Sequence, residues 1–143
     1  MIASAVGGCL CDSVQFEVTL PSKWVAHCHC SMCRRAHGAP FVTWLSVPRD
    51  QFRITRGDVD LAWFRSSPPA KRAFCQRCGS PLLFESERWP GEIHIARAAI
   101  PGEVDRAPQV HAFFSDRAQW LELHDDLPKR GGVTGTEPLS QGS

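Results

Sequence analysis

The chain has 143 residues, a length that fits one domain with a sizeable core and makes a second independent domain unexpected. Lys and Arg number 16 against 15 Asp and Glu, a formal charge of +1 with no basic run, so the electrostatic footprint of a nucleic-acid binder is missing and no such partner is expected. No segment approaches the roughly 18 apolar residues of a membrane span, and the first eight residues lack the charged and apolar regions of a secretory signal, so a cytoplasmic setting away from membranes is expected.

In chain order, Val14, Phe16, Val18 and Leu20 alternate with Ser13, Gln15, Glu17 and Thr19, the pattern of a half-buried strand. Pro21-Ser22 breaks it, and an extended pattern resumes from Trp24 to Cys30. A short helix is expected from Ser31 towards His37, stopped at Gly38. Further strands are expected at Phe41 to Val47, Gln51 to Thr55, Val59 to Phe64, Leu82 to Glu85, Glu92 to Ala98 and Val110 to Phe114. Turn signals separate them at Pro48, Gly57, Pro68-Pro69, Pro90-Gly91 and Pro101-Gly102. A second short helix is expected after Ser115, through Trp120. The segment from Gly131 to Ser143, rich in Gly, Ser, Thr and Pro, reads as a disordered tail, leaving residues 1–130 as the domain. The whole is mainly β with little helix.

The chemistry sits in seven cysteines: Cys9-x-Cys11, Cys28-x-Cys30-x-x-Cys33 and Cys75-x-x-Cys78. An odd number cannot pair completely within one chain, and a reducing compartment favours metal sites over disulfides. Four thiolates close a tetrahedral zinc site, so seven divide into four and three. In extended backbone residues i and i+2 share a face, which lets Cys9 and Cys11 grip one ion, as Cys28 and Cys30 can. Cys75-Gln76-Arg77-Cys78-Gly79 looks like a zinc knuckle, with Gly79 supplying positive φ after the turn. Cys9, Cys11, Cys75 and Cys78 together form a structural zinc site, which frees Cys28, Cys30 and Cys33 for a catalytic zinc with an open position. Two zinc ions per chain are expected.

Zinc on three thiolates is a weak Lewis acid, poor at activating water but able to hold an incoming thiol as thiolate, so sulfur chemistry is expected. His37 is a candidate fourth ligand or acid/base group. His27 and His29 should face away from the neighbouring cysteines by alternation. Arg34 and Arg35 are candidates for binding a substrate carboxylate. His94, His111 and His124 are assigned structural or solvent roles, and Asp125-Asp126 reads as a solvated acidic pair.

Gly8-Cys9-Leu10-Cys11, Cys28-His29-Cys30-Ser31-Met32-Cys33-Arg34-Arg35-Ala36-His37-Gly38-Ala39-Pro40 and Phe74-Cys75-Gln76-Arg77-Cys78-Gly79-Ser80-Pro81-Leu82 resemble the glutathione-dependent formaldehyde-activating enzyme family, also called the centromere protein V/GFA domain. Trp120 to Pro128 looks like that family's C-terminal signature, so the resemblance runs from about Gly7 to Pro128. It implies a β-tent (Mss4-like) fold stapled by zinc, with the structural and catalytic ligand sets just given. It also implies a carbon-sulfur lyase-type activity, condensing formaldehyde with glutathione to S-hydroxymethylglutathione, with glutathione or another small thiol as co-substrate and a small aldehyde as partner. Two other readings remain open at this point: a non-catalytic, zinc-stabilised module that binds a protein, and a redox switch with a disulfide in the triplet.

Overall fold

The computed structural model describes residues 2–139. Its elements in chain order are β1 (Ser4–Gly8), β2 (Gln15–Thr19), β3 (Trp24–Cys28), α1 (Ser31–His37), β4 (Val42–Pro48), β5 (Phe52–Arg56), β6 (Leu61–Ser67), β7 (Ala70–Cys75), β8 (Pro81–Ser86), β9 (Glu92–Ala96), β10 (His111–Ala112), β11 (Arg130–Gly131) and β12 (Glu137–Pro138). The protein is mainly β, as its alternating sequence requires, with one α-helix among the described residues. No helix there is long and apolar enough to cross a membrane.

The chain divides into two compact units, neither of them a continuous stretch of sequence. The first takes the residues up to Trp24 with Leu45–Ala107; the second takes Val25–Trp44 with the chain from Pro108 onward.

In the first unit β1, β2 and β5 form an antiparallel sheet. The alternation in β2 works as the sequence demands: Val14, Phe16, Val18 and Leu20 are buried, whereas Glu17 faces outward to meet Arg53 across the ladder at 3.0 Å. Strands β6 to β9 follow one another as an antiparallel run. Leu82, Leu83, Ile93 and Ile95 supply its buried face, each stabilising the fold by about 1.5–3 kcal/mol through burial. Two strands here were not evident in the sequence. β1 is half-exposed and partly glycine, and β7 carries the polar pair Lys71-Arg72, so neither shows a clean two-residue period.

In the second unit β10 pairs parallel with β3, His111 opposite His27 and Ala112 opposite Cys28. The helix α1 starts and stops where expected. Cys30 caps its N-terminus, its Sγ accepting the Cys33 N–H at 3.3 Å, and Gly38 closes it in the left-handed region at φ 59°.

Two expectations are corrected. After Ser115 no α-helix forms; only a 3-10 turn over Phe114–Asp116 is present, entered through Phe113 at φ 52°. The segment expected as a disordered tail carries, within its described part, a short antiparallel ladder: β11 and β12 pair Arg130 with Pro138 and Gly131 with Glu137, and Gly131 is buried with the Ser115 and Leu139 side chains where a Cβ would lie. Residues 140–143 lie outside the described part.

Candidate metal centres

In the first unit Cys9, Cys11, Cys75 and Cys78 bring their four sulfurs within 4.8 Å of one another. Cys9 and Cys11 sit in the turn after β1, not on a strand: the Asp12 N–H closes the turn onto the Cys9 carbonyl at 3.1 Å. Cys75 ends β7, and the knuckle closes by the Gly79 N–H on the Cys75 carbonyl at 2.8 Å, Gly79 having φ 78°. Sulfurs about 2.3 Å from a central zinc in tetrahedral array lie about 3.8 Å apart. The Cys9–Cys11 and Cys11–Cys75 separations, 3.7 and 3.9 Å, match that edge, so the residues fit the ion.

Ser13 and Ser80 surround the group. The Ser13 hydroxyl lies 3.1 Å from the Cys11 sulfur and 3.2 Å from that of Cys75, and Ser80 lies 3.2 Å from Cys78. The Ser80 hydroxyl and its backbone hold the Cys78 thiol down to about 5. A thiolate there is the form a metal ligand requires.

In the second unit Cys28, Cys30 and Cys33 form a group of three with the same 4.8 Å spread. Cys28 ends β3, Cys30 is the helix cap and Cys33 lies in the first helical turn, so a strand end and a helix start converge their thiols. The Cys28 thiol is pushed well up by its contacts with Cys30 and Cys33 and by burial. Cys30 is eased by Cys28, but Cys33 and burial outweigh this and raise it. Three thiols this close resist ionising together unless a cation joins them, which is the donor set a zinc ion fits.

No imidazole or carboxylate among the described residues joins this group. The His37 ring packs edge-on against Trp44, with centroids 5.2 Å apart. Arg34 is turned to backbone, its Nε donating to the His29 carbonyl at 3.3 Å and Nη2 to the Asp116 carbonyl at 2.9 Å. Arg35 is exposed on the helix.

The sequence reading missed what lies behind the triplet. His29 and His111 are fully buried and their rings meet at 2.8 Å, Nε2 to Nδ1. His111 Nε2 reaches Asp125 at 2.9 Å. The role expected for Asp125, one half of a solvated pair, is thus corrected: it is half-exposed but anchors a buried imidazole. Burial first, then the neighbouring His111, hold His29 down at about 4, so it is neutral at neutral pH. The spacing of 82 residues between the two histidines left no local signal.

The family model of the glutathione-dependent formaldehyde-activating enzymes matches residues 4–116. A Halomonas elongata protein named provisionally for that activity is 30% identical over 125 residues, covering 82% of this chain and 79% of its own length. A Schizosaccharomyces pombe protein named an uncharacterized lyase is 27% identical over 78 residues, 54% of this chain and 55% of that one. A crystal structure of a Rhodobacter sphaeroides protein superposes with a TM-score of 0.60 at 28% identity, covering 68% of this chain and 89% of that one. With its seven cysteines gathered as four and three and the family model matched over most of its length, the chain belongs to the glutathione-dependent formaldehyde-activating enzyme family.

Proposed function

We propose that this chain is a zinc-dependent, carbon-sulfur lyase-type enzyme that adds a small thiol, glutathione by its family, to a small aldehyde, formaldehyde. The S–C bond forms as the carbonyl π pair moves to oxygen, which takes up the proton the thiol gives up; the reverse reaction releases both. The observation that carries this reading is that, among the described residues, one group has three converging thiols and no fourth ligand, while the other has four. Cys28, Cys30 and Cys33 hold the catalytic ion, and Cys9, Cys11, Cys75 and Cys78 hold a structural one. Held by these three thiolates, zinc would supply the positive charge that keeps an incoming thiol ionised at neutral pH. Arg35, exposed one residue beyond Arg34, is available to a substrate carboxylate, whereas Arg34 acts by tying the helix to the His29 and Asp116 carbonyls. Since every one of these thiols must stay reduced, the reading places the protein in the cytoplasm.

The test is elemental analysis of anaerobically purified protein together with exchange NMR of formaldehyde and glutathione. The expected result is two zinc ions per chain and exchange faster than the uncatalysed rate. Cys30→Ser should lose one ion and the acceleration while keeping the circular dichroism of the fold. A single ion in the wild type, or an exchange rate that Cys30→Ser leaves unchanged, would overturn the reading.

A further inference from the structure

The buried histidine pair has a direction. A carboxylate can only accept, so Asp125 takes the hydrogen of His111 Nε2, which lies 3.0 and 2.9 Å from its two oxygens. In the neutral ring this leaves His111 Nδ1 bare to accept from His29 Nε2 at 2.8 Å. His29 Nδ1 is then a bare lone pair, and it is a buried atom with no hydrogen-bond partner.

In sequence His29 stands between Cys28 and Cys30, two of the three cysteines of the triplet. Its N–H donates to the Ala112 carbonyl at 2.9 Å, its own carbonyl takes Arg34 Nε, and its ring is flanked by Phe41 and Phe114 at 5.1 and 5.2 Å. Phe114 reaches that place through Phe113, a bulky residue held at φ 52°, a backbone conformation that has to be enforced by its surroundings. An apolar pair would fill the same space without burying imidazole nitrogens, so packing alone does not call for these side chains.

We propose that Asp125 and His111 are positioning residues for the thiol triplet: the carboxylate sets the tautomer of both rings, and the locked His29 ring holds the backbone between Cys28 and Cys30 in the conformation that converges the three sulfurs. This rests on the reading that the triplet holds an ion. Groups that orient metal ligands from outside typically change affinity by roughly 10–100-fold when lost.

Asp125→Asn is the informative variant. The Leu127 N–H, 3.0 Å from Oδ1, keeps the carboxamide oxygen at that position and puts the NH2 at the Oδ2 position, 2.9 Å from His111 Nε2, where two N–H groups would oppose each other; reversing the hydrogen-bond direction through both rings removes that clash. Long-range 15N–1H NMR of the full chain should show Nε2–H on His29 and His111 in the wild type and Nδ1–H on both in the variant. In 113Cd NMR with chelator competition, the triplet should lose about 10-fold or more in affinity in Asp125→Asn and in Asp125→Ala, with the four-thiol site unchanged. Wild-type rings protonated on Nδ1, tautomers that Asp125→Asn leaves as they are, an unaltered triplet affinity, or an equal loss at both sites would each overturn the inference. If the wild-type triplet takes up no cadmium at all, the proposed function falls along with it. A triplet that does bind while the tautomers disagree sinks the inference alone.

Discussion

Cys75→Ser tests whether the four-thiol group staples the fold. Cys75 is fully buried, and Cys11 and Cys75 are 64 residues apart in sequence with their sulfurs 3.9 Å apart, so an ion shared by them closes a long loop. Treating that closure as a covalent cross-link, the chain-entropy relation gives about 4 kcal/mol for a loop of this length. Small domains have a total stability of only about 5–15 kcal/mol, so this is a large share. Urea unfolding of zinc-loaded wild type, Cys75→Ser and Cys30→Ser is the assay, with fluorescence of the five tryptophans as the signal. Cys75→Ser should lose about 4 kcal/mol and melt roughly 10–15 °C lower. Cys30→Ser should lose much less, because its partners Cys28 and Cys33 are two and three residues away and enclose almost no loop. Equal losses in the two variants would refute the division into a stapling site and a working site. So would a Cys75→Ser protein whose stability is no longer sensitive to a chelator but equals that of the zinc-loaded wild type.

Three further outcomes follow from the first unit. Gly57 has φ 79°, and a Cβ there would run into the Ser13 carbonyl oxygen, so Gly57→Ala should cost at least the ~1–2 kcal/mol of a left-handed residue, lower the urea midpoint and weaken the ion beside Ser13. Ile95→Ala, at a fully buried position opposite Leu83, should cost about 2–5 kcal/mol in the same assay while leaving the zinc count at its wild-type value. Glu92 accepts from Lys23 at 2.8 Å and Ser46 at 2.7 Å and contacts His94 at 3.1 Å; burial works against its charge, but these partners outweigh it and depress its pKa. A depressed carboxyl contributes stability above its unfolded value of about 4.3 and loses it as pH falls through the folded value, so Glu92→Gln should be less stable at pH 7 and show a shallower acid-unfolding slope below about pH 4. An acid slope identical to that of the wild type would show that the network around Glu92 contributes nothing.

What could be read from the sequence was local. The alternation of Val14 to Leu20, the cap at Gly38 and the cysteine spacings each act within a few residues; the first two appear at their expected places, and the cysteines gather as four and three, Cys9 and Cys11 from a turn instead of the expected strand. Where the reading failed, the determining contact was distant. Ser115 looked like an N-cap, but Phe113 is fixed in a left-handed conformation by its N–H bonding to the Gly135 carbonyl at 2.8 Å, and the chain turns before a helix can propagate. The same contact accounts for the ordered β11–β12 segment, whose composition alone suggests a tail: Gly135 fits against the Phe113 ring because it has no side chain, and a Cβ there would collide with it. His111 and Asp125 escaped notice for a related reason. Asp125 lies in the Trp120 to Pro128 signature, but nothing in that segment ties it to His111, and a histidine in a two-residue strand looks like any solvated one. It is β10 lying parallel to β3 that places His111 opposite His27 and within reach of His29. Spacing therefore identifies the candidate ligands, while the groups that orient them are chosen by strand pairing, so the features of this site most open to experiment are those a motif cannot display.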